Sequence, residues 1–316
     1  MTTQSTVLQS RLGKAFAAEA ARSSPGLAEL AWRRFKRDKL AMSGAIVLVI
    51  LGLLAIFATP ISLYVTRFDP DKVLPLYSLK PVGWQKSAEA PVNWLGTDEL
   101  GRDVLTRLIF GGQVSLFIAF LTVCTTVTLG TISGALAGYF GGWVDVLIGR
   151  FIDILLSIPG LFLLLLISVV FRPPWWGLAF VLASVSWMTV ARLVRGEFLA
   201  IRAREYVEAA RVTGVSNWRI IFRHILPNAT SPIIVAASLQ IGGVILTETA
   251  LSFLGLGVQP PTPSWGNMLV NANRFIFSEN ARSLLFIPGL LIFATVLAVN
   301  FMGNGMRDAL DPRLKD

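Results

Sequence analysis

Six stretches of this chain, residues 40–59, 114–140, 143–171, 176–194, 233–254 and 284–302, are too long and too apolar to be ordinary core helices. At a rise of 1.5 Å per residue, about 20 residues cross a hydrocarbon core of about 30 Å. Charged residues make up only 15% of the chain, against about 25% in soluble domains. The sequence therefore predicts an all-α integral membrane protein with six transmembrane helices. The two soluble domains that 316 residues would allow are not expected.

The charges between the runs set an orientation. Arg33, Arg34, Lys36, Arg37 and Lys39 precede the first run, and the positive-inside rule puts the N-terminus in the cytoplasm. A polar lead of 39 residues is too long for a cleaved signal peptide, so an uncleaved anchor is expected. In residues 60–110, Arg67, Lys72, Lys80, Lys86, Arg102 and Arg107 are matched by Asp69, Asp71, Glu89, Asp98, Glu99 and Asp103, as suits an outward-facing segment. Residues 100–110 read as a short interfacial helix. The stretch after the fourth run holds Arg192, Arg195, Arg202, Arg204, Arg211, Arg219 and Arg223 against Glu197, Glu205 and Glu208, which places it inside. Arg307, Arg313 and Lys315 do the same for the tail. The chain then divides into a cytoplasmic segment 1–39, a first span 40–59, an extracytoplasmic segment 60–110, a core 111–304 with a cytoplasmic loop 195–228, and a tail 305–316, with both termini cytoplasmic.

Within the spans, Gly130, Gly134 and Gly138 share one face and allow close helix packing. Asp145, Arg150 and Asp153 fall in the first third of the third run, at an interface, and Pro159-Gly160 should interrupt it. Cys124 is the only cysteine and His224 the only histidine. They offer no disulfide, no metal cluster and no nucleophile–base pair. The net charge of +9 lies beside membrane runs, so it sets topology, and no nucleic acid is expected as a partner.

The loop is long but has good helix formers over residues 206–211. Gly214 breaks them, being free to take φ > 0. Residues 217–223 read as a second amphipathic helix capped by Ser216 or Asn217, and Pro227 marks the return to the membrane. Such a helix pair fits either of two surfaces, anionic membrane lipid or a groove on a soluble partner.

Glu208-Ala209-Ala210, then Gly214-Val215-Ser216-Asn217, then Leu226-Pro227 resembles the "EAA" loop of ABC importer permeases. That pattern often has Ile two residues before the Leu; here His224 stands there and Ile225 follows. Two further stretches, Leu95-Gly96-Thr97-Asp98-Glu99-Leu100-Gly101-Arg102-Asp103 and Leu251-Ser252-Phe253-Leu254-Gly255-Leu256-Gly257 with Pro263-Ser264-Trp265-Gly266, resemble hallmarks of the dipeptide/oligopeptide/nickel permeases, as does Asp308-Ala309-Leu310-Asp311-Pro312-Arg313. Over residues 30–316 the chain looks like the second permease subunit of that family, with a type I ABC importer permease fold.

The resemblance implies a non-enzymatic permease of the cell inner membrane that pairs with a homologous permease. It also implies two cytoplasmic ABC ATPases, which bind the ATP and Mg, and an extracytoplasmic substrate-binding protein. Glu208 to Asn217 would form the coupling helix, with Gly214 as its turn. The chain carries no G-x-x-x-x-G-K-[ST] loop and no cofactor site of its own. Glu248 is the odd acid of the fifth run; it stands for a structural or gating role, with the pore lining or the partner permease as the other places for it. Dipeptides or oligopeptides are the expected cargo, with nickel chelates or oligosaccharides as alternatives. A stand-alone secondary transporter or channel would need inverted repeats and mid-membrane charges, and the sequence shows neither convincingly.

Overall fold

In the computed structural model, which describes residues 27–273, 275, 277 and 282–310, an aspartate opens the first membrane helix. Asp38 accepts from the backbone N–H of Leu40 (2.9 Å) and Ala41 (3.1 Å), ending α1 (Leu27–Arg37) and capping α2 (Lys39–Ile56). A polar excursion follows, holding one small hairpin, β1 (Trp84–Gln85) against antiparallel β2 (Val92–Asn93). Asp103 then caps α3 (Val104–Phe140), a helix of 37 residues. Gly141, at φ +65°, turns the chain into α4 (Gly142–Leu156), followed by α5 (Gly160–Phe171) and α6 (Leu178–Arg202). The short α7 (Glu205–Val212) leads to α8 (Leu226–Phe253), α9 (Trp265–Asn273) and α10 (Arg282–Leu310).

Five helical bodies are each long and apolar enough to cross a bilayer, and a sixth crossing needs α4 and α5 together, bent by 83° at their junction. Pro159 supplies that bend: it cannot donate to an intrahelical bond, and its ψ of 124° takes the chain out of the helix. The break expected at Pro159-Gly160 is thus present.

The bundle is centred on α3 against α6. A Cβ placed on Gly130 would lie 2.6 Å from that of Val190, on Gly134 2.5 Å from the carbonyl oxygen of Ala191, and on Gly138 2.6 Å from the Cβ of Phe198. Small residues every four positions let two backbones touch, and in a membrane such close contact replaces the missing hydrophobic drive. The glycine face therefore serves packing within the chain. Asp145 pairs with Arg195 (Nη2 to Oδ2, 2.7 Å) and Asp153 with Arg192 (2.6 Å), tying α4 to α6.

The helix ends collect at two opposite faces of the bundle. The cap end holds residues 62–103 and the 254–264 turn, beside the start of α3. The loop end holds residues 203–225, beside the end of α3. Phe35 of α1, Ala41 of α2 and Ala309 of α10 pack together at the loop end.

One expectation about helix limits is corrected. There is no separate interfacial helix over residues 100–110: helix begins at Val104 and runs unbroken into the span, because buried Arg107 is neutralised by cap groups and the chain has no breaker there. The last described helix, α10, continues to Leu310, into the segment 305–316. Residues 1–26 and 311–316, with the expectations placed on Arg313, Lys315 and the N-terminal segment, lie outside the described residues.

Candidate functional site

Loop residues 203–225 are built as an exposed helix on a buried root. In α7, Glu205, Tyr206, Glu208, Ala209, Arg211 and Val212 are exposed, and Val207 is 0% exposed. Val207 packs with Ile220, Ile221 and Ile225, and with Tyr139, Val194 and Phe198 at the ends of α3 and α6. Ala210 and Val215 pack onto the same cluster. Alanine at 209 and 210 favours helix and keeps its inner side slim.

The helix ends in a defined way. Gly214 has φ +79°, its N–H reaches the Arg211 carbonyl (3.1 Å), and the Val215 N–H reaches back to the Ala210 carbonyl (3.1 Å). This pair of bonds with a left-handed glycine is the Schellman stop. A Cβ on Gly214 would meet nothing within 4 Å; its backbone angle requires glycine, and crowding does not.

Two aromatic residues at the end of α3 hold the loop down. The Tyr139 hydroxyl donates to Asn217 Oδ1 at 2.7 Å, and the Arg211 guanidinium lies 5.8 Å over the Tyr139 ring. Phe140 meets Trp218 edge-on at 6.4 Å. Neither Tyr139 nor Phe140 was singled out from sequence; the one signal was an aromatic pair closing an apolar run.

The second half of the loop departs from expectation. Residues 217–223 do not form an independent amphipathic helix. Asn217–Arg219 is one helical turn and Ile220–Ile225 is wound in wider, π-type turns, running into α8 as one helical body up to Phe253. Leu226 donates to the Ile221 carbonyl, five residues back. The wider turn explains why Pro227 does not end the helix: it stands at the start of α8, where the local bonding has already shifted register and its missing N–H costs little. Ser216 occupies the cap position, with no side-chain cap bond. Leu226 packs on the buried cluster, and Pro227 is exposed.

The cap end is a lattice of buried polar groups. Asp98 accepts from the Arg102 N–H (2.9 Å), the Leu100 N–H (2.9 Å) and Arg102 Nε (2.6 Å). Arg107 Nε lies 3.5 Å from the same carboxylate, and Arg107 Nη1 donates to the Pro70 carbonyl at 2.9 Å. Asp103 accepts from Asn93 (2.8 Å) and from the Thr106 backbone and hydroxyl (2.8 and 2.7 Å). Burial pushes the Asp103 carboxyl above the usual range, opposed by those hydrogen bonds. Burial, then the neighbouring Asp98, does the same to Glu99. Gly101, at φ +76°, could not carry a Cβ, which would fall 1.9 Å from the Leu74 carbonyl oxygen. Asp98, Glu99, Arg102 and Asp103 thus tie the excursion to the head of α3.

Glu248 belongs to this end. It is 1% exposed, and its Oε1 accepts from Ser252 (2.8 Å) and Ser264 (3.0 Å). Ser264 is in turn held by Asn267, and Trp265 by Ser115 (3.2 Å) and the Leu108 carbonyl (3.0 Å). Glu248 is therefore placed as a pin for the 254–264 turn, away from the loop residues. Among the described residues, no group of three or more His, Cys, Asp or Glu is placed to hold a metal ion.

Comparison with known proteins agrees with this layout. Residues 127–316 match the model of the binding-protein-dependent transport system inner membrane component, and residues 26–81 match the N-terminal transmembrane domain of oligopeptide transport permease C. The chain is 40% identical over 285 residues to the dipeptide transport system permease protein DppC of Alkalihalophilus pseudofirmus, covering 90% of each chain. It is 38% identical over 287 residues to the glutathione transport system permease protein GsiD of Pectobacterium atrosepticum, again covering 90% of each. Among solved structures, an inward-facing MetNI methionine ABC transporter chain superposes with a TM-score of 0.55 at 18% identity, over 66% of this chain and 97% of that one. That match shares the fold.

Proposed function

The chain belongs to the binding-protein-dependent transport system inner membrane component family, and from that premise we propose that it forms half of the translocation path of an ATP-driven peptide importer, with α7 as the element that a cytoplasmic ATPase grips. It is a multi-pass membrane permease component and not an enzyme. Peptide cargo is the reading carried over from relatives named for dipeptide and glutathione transport.

The observation that carries the coupling role is the form of α7: exposed on its outer side, anchored through Val207, and stopped by Gly214. A helix seated this way transmits a push from a partner into the cluster that joins α3, α6 and α8, which suits rigid-body alternating access. Basic residues crowd this end of the bundle, which supports a cytoplasmic loop and cytoplasmic termini by the positive-inside rule. The partners in this reading are a homologous permease in a heterodimer, two ATPases that bind ATP and Mg, and a binding protein at the cap end.

The test is copurification with, and ATP-driven transport by, the assembled complex. Glu208→Arg with Gly214→Val should release the ATPase at least about tenfold more readily, the scale of a lost charged contact. Unchanged association and transport would overturn the coupling role. Rescue by added anionic lipid alone would assign the loop to the membrane surface instead.

A further inference from the structure

The middle of the bilayer is where an unpaired amide is hardest to explain, and α8 carries one there. Gln240 lies 14 residues from Leu226 and 13 from Phe253 (240 − 226 and 253 − 240), half-way along α8. It is partly buried, its Oε1 has no hydrogen-bond partner, and no bond to its Nε2 is present among the described residues. Thr189, half-way along α6, is exposed and also without a partner. The two line one recess of about 280 Å³ together with Ser186, Leu193 and Ala236.

Several hydroxyls on the membrane surface of this chain are satisfied by their own helix. Thr128 donates to the Cys124 carbonyl (2.8 Å), Ser133 to Leu129 (2.7 Å) and Thr247 to Gly243 (2.8 Å). Such hydroxyls can face lipid. The Gln240 amide cannot do so without leaving polar atoms bare in hydrocarbon, so its face meets something polar.

The glycines agree. Gly243 stands one turn beyond Gln240 and Gly196 two turns beyond Thr189; both are exposed, and a Cβ on either would meet nothing within 4 Å. A glycine inside a helix weakens it relative to alanine. No contact among the described residues requires either one, and the open space beside them leaves room for a group from outside the chain to approach closely.

We propose that the recess between α6 and α8, with Gln240 and Thr189 at its centre, is a translocation subsite that hydrogen-bonds the backbone amides of a passing peptide. A peptide unit presents one N–H and one C=O; the Gln240 NH₂ can donate to the C=O, and rotation of the side chain would bring its carbonyl, buried in the structure, to the N–H. Recognition through the backbone accepts any side chain, and single weak bonds let the peptide leave. This inference rests on the peptide-importer reading.

The experiment uses the complete complex in proteoliposomes, with radiolabelled dialanine. Gln240→Leu with Thr189→Val should lower uptake about tenfold, the scale of one to two lost hydrogen bonds, with ATPase association unchanged. Gln240→Asn should retain part of the rate. In a Cys124→Ala background, Gly243→Cys should react with a water-soluble maleimide, and dialanine supplied with binding protein and ATP should slow that reaction. Three results would overturn the subsite: unchanged uptake in the double variant, no labelling at position 243, or loss of the permease pair on Gln240→Leu, which would make the recess a helix–helix contact. If the unaltered complex takes up no dialanine, the peptide reading fails by itself, and labelling at position 243 still decides whether the face is wetted.

Discussion

The two ends of the bundle solve opposite problems. At the cap end nearly every buried polar side chain has a partner, and Gly101 and Gly96 sit where a Cβ would strike backbone at 1.9 and 2.4 Å. At the loop end α7 turns most of its side chains outward, and Gly214 has open space around it. Gly96 and Gly101 are demanded by crowding as well as by φ, and Gly214 by φ alone. One end is therefore locked to its own chain, and the other leaves its helix exposed. Stability and partner binding should separate accordingly on mutation.

The strongest break falls on the locked end. Arg102→Ala leaves buried Asp98 short of its closest cation, and removing one member of a buried ion pair costs about 3–5 kcal/mol. Thermal unfolding of the purified complex should show a marked drop; a change within error would mean that Arg107 alone satisfies Asp98. Next comes Glu248. Glu248→Ala deprives the hydroxyls of Ser252 and Ser264 of their acceptor at a cost of about 1–3 kcal/mol, whereas Glu248→Gln keeps an oxygen in place and should retain most stability and transport. If Glu248→Gln melts normally yet stops transport, the pin is also a gate, and the contrast between the ends is weaker than drawn.

At the open end the effects move from stability to function. Tyr139→Phe removes one hydrogen bond, worth about 1 kcal/mol, and frees Asn217. The complex should melt almost normally while ATP consumed per transported substrate rises, and hydrogen exchange over residues 205–212 should speed up. Equal coupling in the variant would show that the Phe140–Trp218 contact suffices to hold the loop.

The smallest effect concerns pH at the cap. The carboxyl of Glu99 is held above the usual carboxylate range by burial first and Asp98 second. A raised folded value favours the protonated group, so its contribution is fully present below the ordinary value and is lost as pH rises through the raised one. Glu99→Gln should therefore flatten the acid side of the melting profile and leave stability near neutral pH no lower than before. A clear loss near neutral pH would show that the contact with Arg102, at 3.4 Å, outweighs burial.

Much of this was legible in the chain itself. Apolar run length gave six crossings because lipid leaves a helix no other way to satisfy its backbone, and Pro159 marked the broken one. The Glu208-Ala209-Ala210 and Gly214 pattern located α7 and its stop, because helix propensity and positive φ are local properties. Three things were not legible. The roles of Glu248 and Asp98 depend on partners 16 residues away or brought in by Pro70 and Arg107. Tyr139 reaches a residue 78 positions later. The continuity of residues 217–253 rests on a change of helical winding before Pro227, which side-chain periodicity does not report.

The 37 residues of α3 make a rod about 55 Å long at 1.5 Å per residue. Its first turn is clamped by Asp103 and Arg107, and its last holds the loop through Tyr139 and Phe140. A strut this long works as a pointer: a tilt of about 5° about its clamped end sweeps the free end by about 5 Å, close to the pitch of one helical turn. The same geometry runs in reverse. A small displacement delivered at α7 would be felt at the cap as a change of angle, so the two faces of the membrane can exchange a mechanical signal along one piece of secondary structure.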